Sequence, residues 1–415
     1  MNQGADPMAM HDGSVGHAGA ASQAGPPAAW AAPSLLRWLG GVAPLEPAPA
    51  GPSDWRRLAD RCGALRVLPQ MFRRLNDSPE WIPHADAQEY SRRRLESLVR
   101  TTRGIQGGCR ALRVLRAAGV PAVGFKGIAA VGWLHGGQPQ RGVGDTDIAV
   151  TPDRSDAALE ALLAAGFTPK VAGMPREDIV RFSRTSPGSA GNESLSLCGD
   201  DGTEIDVHWR LGGFDVAAMI ADARMIRVLG DDVPLVRPGL GLLLAAHHSL
   251  RNDFVPDECL RDLLDASGWL GLLAADAVEA SWSDREARRL GLEAALGAFT
   301  IILAENGLQS PRARPPADAA SALLAELFRA QCESGPLNTD LVYLCSLGPG
   351  WRLFTGLLTG GAGYVRAMRA MEAANREQQP GITGRLRRLA ADAWAVRWSR
   401  WRSLRALARC KDRAC

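Results

Sequence analysis

The sequence predicts an α+β protein: a small mixed β-sheet embedded in a mostly helical chain. Three observations carry this. Apolar residues recur at spacings of three and four over 90–118, and helical periodicity returns from 239 to about 308. Between these stretches, 121–125, 145–151, 193–198 and 203–210 are short strand-like runs, and 145–151 and 203–210 alternate polar with apolar residues. A helix over 153–166 separates the second run from the third. The order is therefore strand, helix, strand, helix, hairpin, between helical flanks.

Residues 1–33 are rich in Gly, Ala, Ser and Pro and have little apolar periodicity. Such a segment cannot bury enough surface to offset its ordering entropy and is read as disordered. A helical N-terminal region follows over 34–118. Trp55, Leu58, Leu65 and Leu68 lie on helix faces that end at Pro69 or shortly after. In 90–118, Leu95, Leu98, Val99, Thr102, Ile105, Cys109, Leu112 and Leu115 mark one long amphipathic helix, stopped by Gly119 and Pro121. The α/β core spans 119–235. Its first strand, 121–125, ends in Lys126-Gly127 and feeds a helix over 128–134. The helix 153–166 starts acidic, carries Leu159, Leu162 and Leu163 on one face and ends in Gly. The turn Gly199-Asp200-Asp201-Gly202 joins the last two runs into a hairpin, with both aspartates solvated. A helical C-terminal domain covers 236–380, and 381–415 is a basic terminal helix. No internal repeat is visible.

The chain has 415 residues, 46% hydrophobic and 22% charged, as a soluble globular protein does. No apolar run reaches the ~20 residues that span a bilayer, and the N-terminus has neither the basic start nor the apolar stretch of a secretory signal. The eight cysteines contain no C-x-x-C pair, which argues against zinc and redox motifs and fits a cytoplasmic setting. Net charge is +3, but 381–415 alone carries +8, leaving −5 for the rest. In that tail Trp394, Trp398 and Trp401 share a helical face among arginines. The face either docks on the protein or contacts an anionic surface such as nucleic acid, and docking is the favoured expectation.

The chemistry concentrates in two strands. Asp145 and Asp147 stand at i and i+2, so in a strand they share a face, while Thr146, Ile148 and Val150 turn toward the core. Two like charges held so close need a cation. Hard oxygen ligands favour Mg²⁺ or Mn²⁺ over zinc. In 203–210, Glu204, Asp206 and His208 take one face, and Ile205, Val207 and Trp209 the other. If the two strands are neighbours, Asp206 supplies a third carboxylate, enough to hold two metals in a phosphoryl-transfer clamp. Lys126-Gly127, where a strand enters a helix, offers backbone amides and a positive charge to a triphosphate. Arg141 either reaches a phosphate or pairs with a carboxylate. Gly144 and His208 complete the candidate ligand-binding set. The pair His247-His248 is read as helix packing.

With these residues in view, the chain resembles the uncharacterised branch of the nucleotidyltransferase superfamily, whose polymerase-beta-like fold is shared with aminoglycoside nucleotidyltransferases. The matching stretches are GVPAVGFKGIAA, the R-x-x-GDTDIAV block, DAALEALLAAGF and TEIDVHWRL, with the later HHSL and RDLLD also similar. The resemblance runs from about residue 35 to about 265. It implies a metal-binding pair at Asp145 and Asp147 and a base-like carboxylate at Asp206. Many members carry Gly-Ser before the first helix, where this chain has Lys126-Gly127, so the grip on the triphosphate stays open.

The expected function is metal-dependent transfer of an NMP group from an NTP, with ATP the first choice, to a hydroxyl or phosphate acceptor. The acceptor is a small molecule or, because relatives occur beside peptide natural-product genes, a modified peptide. The alternative is a catalytically weak nucleotide-binding or partner-docking module on the same fold. An RNA-directed transferase is a third option and rests on the basic tail alone.

Overall fold

A seven-stranded mixed sheet organises the chain, and the computed structural model describes residues 30–46, 52–77, 79–170, 194–252, 254–308 and 319–334. Three helices come first: α1 (Ala32–Gly40), α2 (Pro52–Ala64) and α3 (Leu68–Asn76). The long α4 (Ala87–Ala117) leads into β1 (Ala122–Phe125), α5 (Gly127–Leu134), β2 (Asp145–Val150) and α6 (Ser155–Ala164). The short β3 (Thr168–Pro169) precedes β4 (Ser194–Cys198) and β5 (Glu204–His208); α7 (Val216–Ala221) is followed by β6 (Arg224–Val228) and β7 (Asp231–Leu235). The helices α8 (Pro238–Arg251), α9 (Pro256–Ala275), α10 (Ala277–Leu290), α11 (Glu293–Glu305) and α12 (Ala319–Ser334) close the described chain.

The expected α+β class is the one observed. Strand order is β3-β4-β5-β2-β1-β7-β6. Strand β2 pairs antiparallel with β1 and parallel with β5, and β4–β5 is the hairpin the sequence predicts. The sheet is buried on both sides of β2: α4 crosses one face, while α5 and α7 cover the other. On β2, Asp147 and Ala149 are buried along with Thr146, Ile148 and Val150.

Helix α4 lies close enough to the sheet to need glycine. A Cβ on Gly107 would stand 2.5 Å from Thr203, and one on Gly108 would stand 2.5 Å from Thr146. Thr146 Oγ1 in turn donates to the carbonyl of Gly104 at 3.0 Å. The stripe Gly104-Gly107-Gly108 thus lets the helix backbone rest on β2 and β5, fixing the two strands that carry the carboxylates.

Further expectations are revised. Trp55 and Leu58 belong to α2, which ends at Ala64; Pro69 opens α3 rather than closing the first helix, and Arg66, with φ 57°, makes the turn between them. In α4 the N-terminal half of the expected apolar stripe is exposed, with Leu95 at 59%, Leu98 at 45% and Val99 at 38%; only from Ile105 onward does the stripe enter the core. The hairpin β6–β7 was not expected at all. Its turn, Leu229-Gly230, has positive φ at both residues (49° and 91°), the geometry that matches strand twist in a two-residue connection. The expected disordered segment ends early, since Ala32 already begins α1 and Trp30 is buried; 1–29 and the basic tail 381–415 lie outside the described residues. Among the described residues no helix is long and apolar enough to cross a membrane.

Candidate active site

Strand β1 delivers Phe125 opposite Asp147, and the next residue, Lys126, turns the chain into α5 with φ 50° and ψ −115°. A non-glycine residue there carries strain, which the surrounding contacts must hold. The contact is plain: Lys126 Nζ lies 2.7 Å from Asp147 Oδ1. Gly127 begins the helix beneath Arg141, where a Cβ would stand 2.7 Å from Nη1. A side chain at 127 would push the guanidinium aside.

Across the sheet, the parallel register puts Asp145 beside Glu204, Asp147 beside Asp206 and Ala149 beside His208. His208 Nε2 lies 3.0 Å from Asp147 Oδ1, and the ring stands edge-on to Phe125 at 5.1 Å. Ionised Asp147 only accepts, so Nε2 is the donor. Burial pushes the Asp147 carboxyl up, but Lys126 and His208 together outweigh it and hold the group well below the usual carboxylate range. Both donors use Oδ1, and Oδ2 takes no hydrogen bond among the described residues. Ligand atoms of Asp147, Asp206 and His208 lie within 4.8 Å of one another. Asp145 is not part of that group. It stands at the start of β2, partly buried, and lines the pocket with Lys126, Gly144 and Asp147. Neither the Asp145 nor the Asp206 side chain has a hydrogen-bond or ion-pair partner among the described residues.

Of the two readings of Arg141, carboxylate pairing is the one observed. Its side chain is 4% exposed and its Nε and Nη2 grip Asp265 Oδ2 at 2.9 and 2.7 Å, while Nη1 donates to the Gly142 carbonyl. Burial penalises the guanidinium, and Asp265 more than compensates, raising its pKa. This buried pair ties the loop before β2 to α9. Arg141 therefore positions the Gly142–Asp145 turn rather than standing free for a phosphate.

The sequence reading also underrated the α8–α9 wall. His248, expected to be mere packing, donates from Nδ1 to Asp262 Oδ2 at 2.7 Å, and Ser249 Oγ donates to the same oxygen. His247 does pack, edge-on to Phe214. Arg261, Asp262 and Asp265 line the pocket. Their signal was the RDLLD stretch, whose spacing puts Arg261 and Asp265 one helical turn apart on α9. In the β4–β5 turn the aspartates are not simply solvated: Asp200 pairs with Arg110, and Asp201 accepts from Thr203.

Acidic side chains that neighbouring strands bring together beside a charged, recessed pocket suit group transfer on a phosphate. The chain belongs to a family described as uncharacterised nucleotidyltransferase, which it matches over residues 51–306, more than half its length. That assigns a general nucleotidyl-transfer role and implies an NTP substrate. No curated protein matches the chain.

Proposed function

We propose that this protein is a metal-dependent enzyme of polymerase-beta-like fold that moves an NMP group from an NTP, preferentially ATP, to a hydroxyl or phosphate acceptor. The observation that carries this reading is the convergence of Asp147, Asp206 and His208 within 4.8 Å, with Asp145 two residues along the same strand. Three carboxylates and one imidazole suit Mg²⁺ or Mn²⁺, with the imidazole favouring Mn²⁺. Asp145, Asp147 and Asp206 would hold the ion, and His208 would join them once Nε2 gave up the proton it donates to Asp147. When bound, such an ion neutralises charge developing on the transferred phosphoryl group.

The protein's own residues supply the rest. Asp206 is partly buried and its side chain has no partner among the described residues, so its carboxylate is available to take the proton from the acceptor oxygen. That oxygen forms a bond to the α-phosphorus, the bond from the α-phosphorus to the bridging oxygen breaks, and pyrophosphate leaves with the electron pair. Lys126 and Gly127, at the start of α5, line the same pocket. A small molecule or a modified peptide is the acceptor, and a cytoplasmic setting agrees with the free state of the described cysteines. The test is mass spectrometry after incubation with each NTP, Mn²⁺ or Mg²⁺ and a panel of hydroxyl, phosphate and peptide acceptors. A gain of one nucleotide is expected. Its absence with every acceptor, alongside tight nucleotide binding, would replace this reading with a nucleotide-binding module, which the Lys126–Asp147 pair independently favours.

A further inference from the structure

The resemblance left the triphosphate grip unassigned, and the basic side chains around the site narrow the choice. Lys126 is committed to Asp147, Arg141 to Asp265, and Lys170 to Glu204. Arg261 is different. It lines the pocket beside Asp145 and Asp147, is mostly withdrawn from solvent, and its fully buried Nε has no hydrogen-bond partner. Its side chain makes no ion pair among the described residues. A buried guanidinium N–H left without an acceptor is costly unless a ligand provides one.

A second guanidinium, without an ion pair among the described residues, stands on the neighbouring cleft. Arg66 lines a wider cleft of about 750 Å³ on the other side of the turn before β2, and Val143, Gly144 and Asp145 wall both cavities. Burial and Arg141 disfavour charge on Arg261; Asp262 and Asp265 oppose that, and Arg66 adds to the repulsion. Arg66 has φ 57°, and its carbonyl approaches Gly142 so closely that a Cβ there would stand 2.6 Å away. Above the shared wall there is room: Gly144 is exposed, and nothing lies within 4 Å of where its Cβ would be. Two like charges thus flank an open turn beside the carboxylates.

We propose that Arg261, assisted by Arg66, is the oxyanion clamp of this site and grips the β- and γ-phosphates of the nucleotide across the Val143–Asp145 turn. Guanidinium forks bind phosphate oxygens bidentately, and an anion between the two relieves their repulsion. The clamp replaces the Gly-Ser grip that Lys126-Gly127 lacks. The assignment to a nucleotide rests on the transferase reading; the anion site itself does not.

Calorimetric titration of the full chain with tripolyphosphate, ATP and AMP in the presence of Mg²⁺ tests it. Wild type should bind ATP and tripolyphosphate more tightly than AMP. Arg261→Gln should weaken ATP and tripolyphosphate at least tenfold while moving AMP less than twofold, and Arg261→Lys should recover part of the loss. The exposed Arg66→Gln should lose severalfold in the same direction, and it carries the test if Arg261→Gln does not fold. Arg100→Gln, which removes an exposed arginine of the same wide cleft, should change neither. Tripolyphosphate affinity unchanged in a folded Arg261→Gln and in Arg66→Gln would overturn the clamp. So would an Arg261 effect confined to inorganic phosphate or a phosphorylated acceptor, because the phosphate would then be the acceptor's. Arginine-dependent tripolyphosphate binding without transfer to any acceptor would keep the clamp and remove the transferase. Transfer with an unaltered KM for ATP in Arg261→Gln would do the reverse.

Discussion

Lys126 places its ammonium 2.7 Å from Asp147 Oδ1, putting one positive charge where a divalent cation would bring two. The lysine neutralises a buried carboxylate in the free protein, and it also repels an incoming ion. Lys126→Met should therefore tighten Mn²⁺ binding in the absence of nucleotide by severalfold, read by paramagnetic resonance of free Mn²⁺. Weaker binding in the variant would mean that the lysine organises the site rather than competing for it.

A split between binding and turnover should mark Asp206. It faces Asp147 in register and has no partner of its own among the described residues. If it takes the acceptor proton, Asp206→Asn should cut kcat at least a hundredfold and alter the Kd for ATP far less, because the interaction gained belongs to the transition state. Equal losses in both would reassign it to nucleotide binding alone.

How much of this could be read in advance differs from residue to residue. Period-two alternation placed Asp145 and Asp147 on one face, and Asp206 and His208 on one face, since side-chain direction in a strand is local. That β5 lies beside β2, in the register that sets Asp147 against Asp206, is a tertiary fact no alternation encodes. The hairpin β6–β7 was hidden by its own sequence. Arg224 and Arg227 are exposed on β6, Pro234 interrupts β7, and the turn uses Leu229 where an Asn or Gly would have signalled it. Spacing showed that Leu95, Leu98 and Val99 share a face of α4, but not whether anything described covers it. Arg141 offered two readings because its partner, Asp265, lies 124 residues away on another helix.

The close approach of α4 to the sheet makes a stability prediction. Gly108→Ala would drive a methyl to 2.5 Å from Thr146, itself fixed by its bond to Gly104. Overpacking of this kind typically costs about 1–3 kcal/mol, which should appear as a lower urea midpoint at unchanged slope. The double change Gly108→Ala with Thr146→Ala should recover part of it. No loss in the single variant would show that α4 is free to move off β2.

Acid lability should follow from two histidines. Burial pulls His247 down to about 4, with Arg251, His248 and Lys126 adding to the effect. Burial likewise takes His135 to about 4, with Arg73 and Arg141 in support against Asp265. Both stay neutral in the folded protein while the unfolded chain protonates near pH 6.5. The unfolded state thus binds more protons between pH 6.5 and 4, so stability rises with pH across that window and is lost as pH falls through it. At 1.36 kcal/mol per unit, each histidine contributes roughly 3 kcal/mol to the drop. His247→Leu should halve the slope in urea melts taken from pH 7 to pH 4. An unchanged slope would place the proton uptake elsewhere.

The last prediction separates the residues that hold the site from those that act in it. Arg141 and Asp265 are 4% and 7% exposed in their side chains, and they join the turn before β2 to α9. Removing one partner strands the other charge in the interior, which typically costs about 3–5 kcal/mol, whereas replacing both with apolar groups is often close to neutral. Asp265→Asn should therefore lower the unfolding free energy by several kcal/mol, and Arg141→Met with Asp265→Leu should restore most of it. Asp145, at the end of the same turn, has no side-chain partner to strand among the described residues. Asp145→Asn should change stability by no more than about 0.5 kcal/mol, as surface substitutions away from packed or paired groups do, and should act on metal-dependent ATP binding instead. Differential scanning calorimetry beside calorimetric ATP titration reads both quantities on the same variants. If Asp145→Asn destabilises the fold as much as Asp265→Asn and leaves ATP binding intact, the acidic residue at the head of β2 is structural and the candidate site shrinks to Asp147, Asp206 and His208.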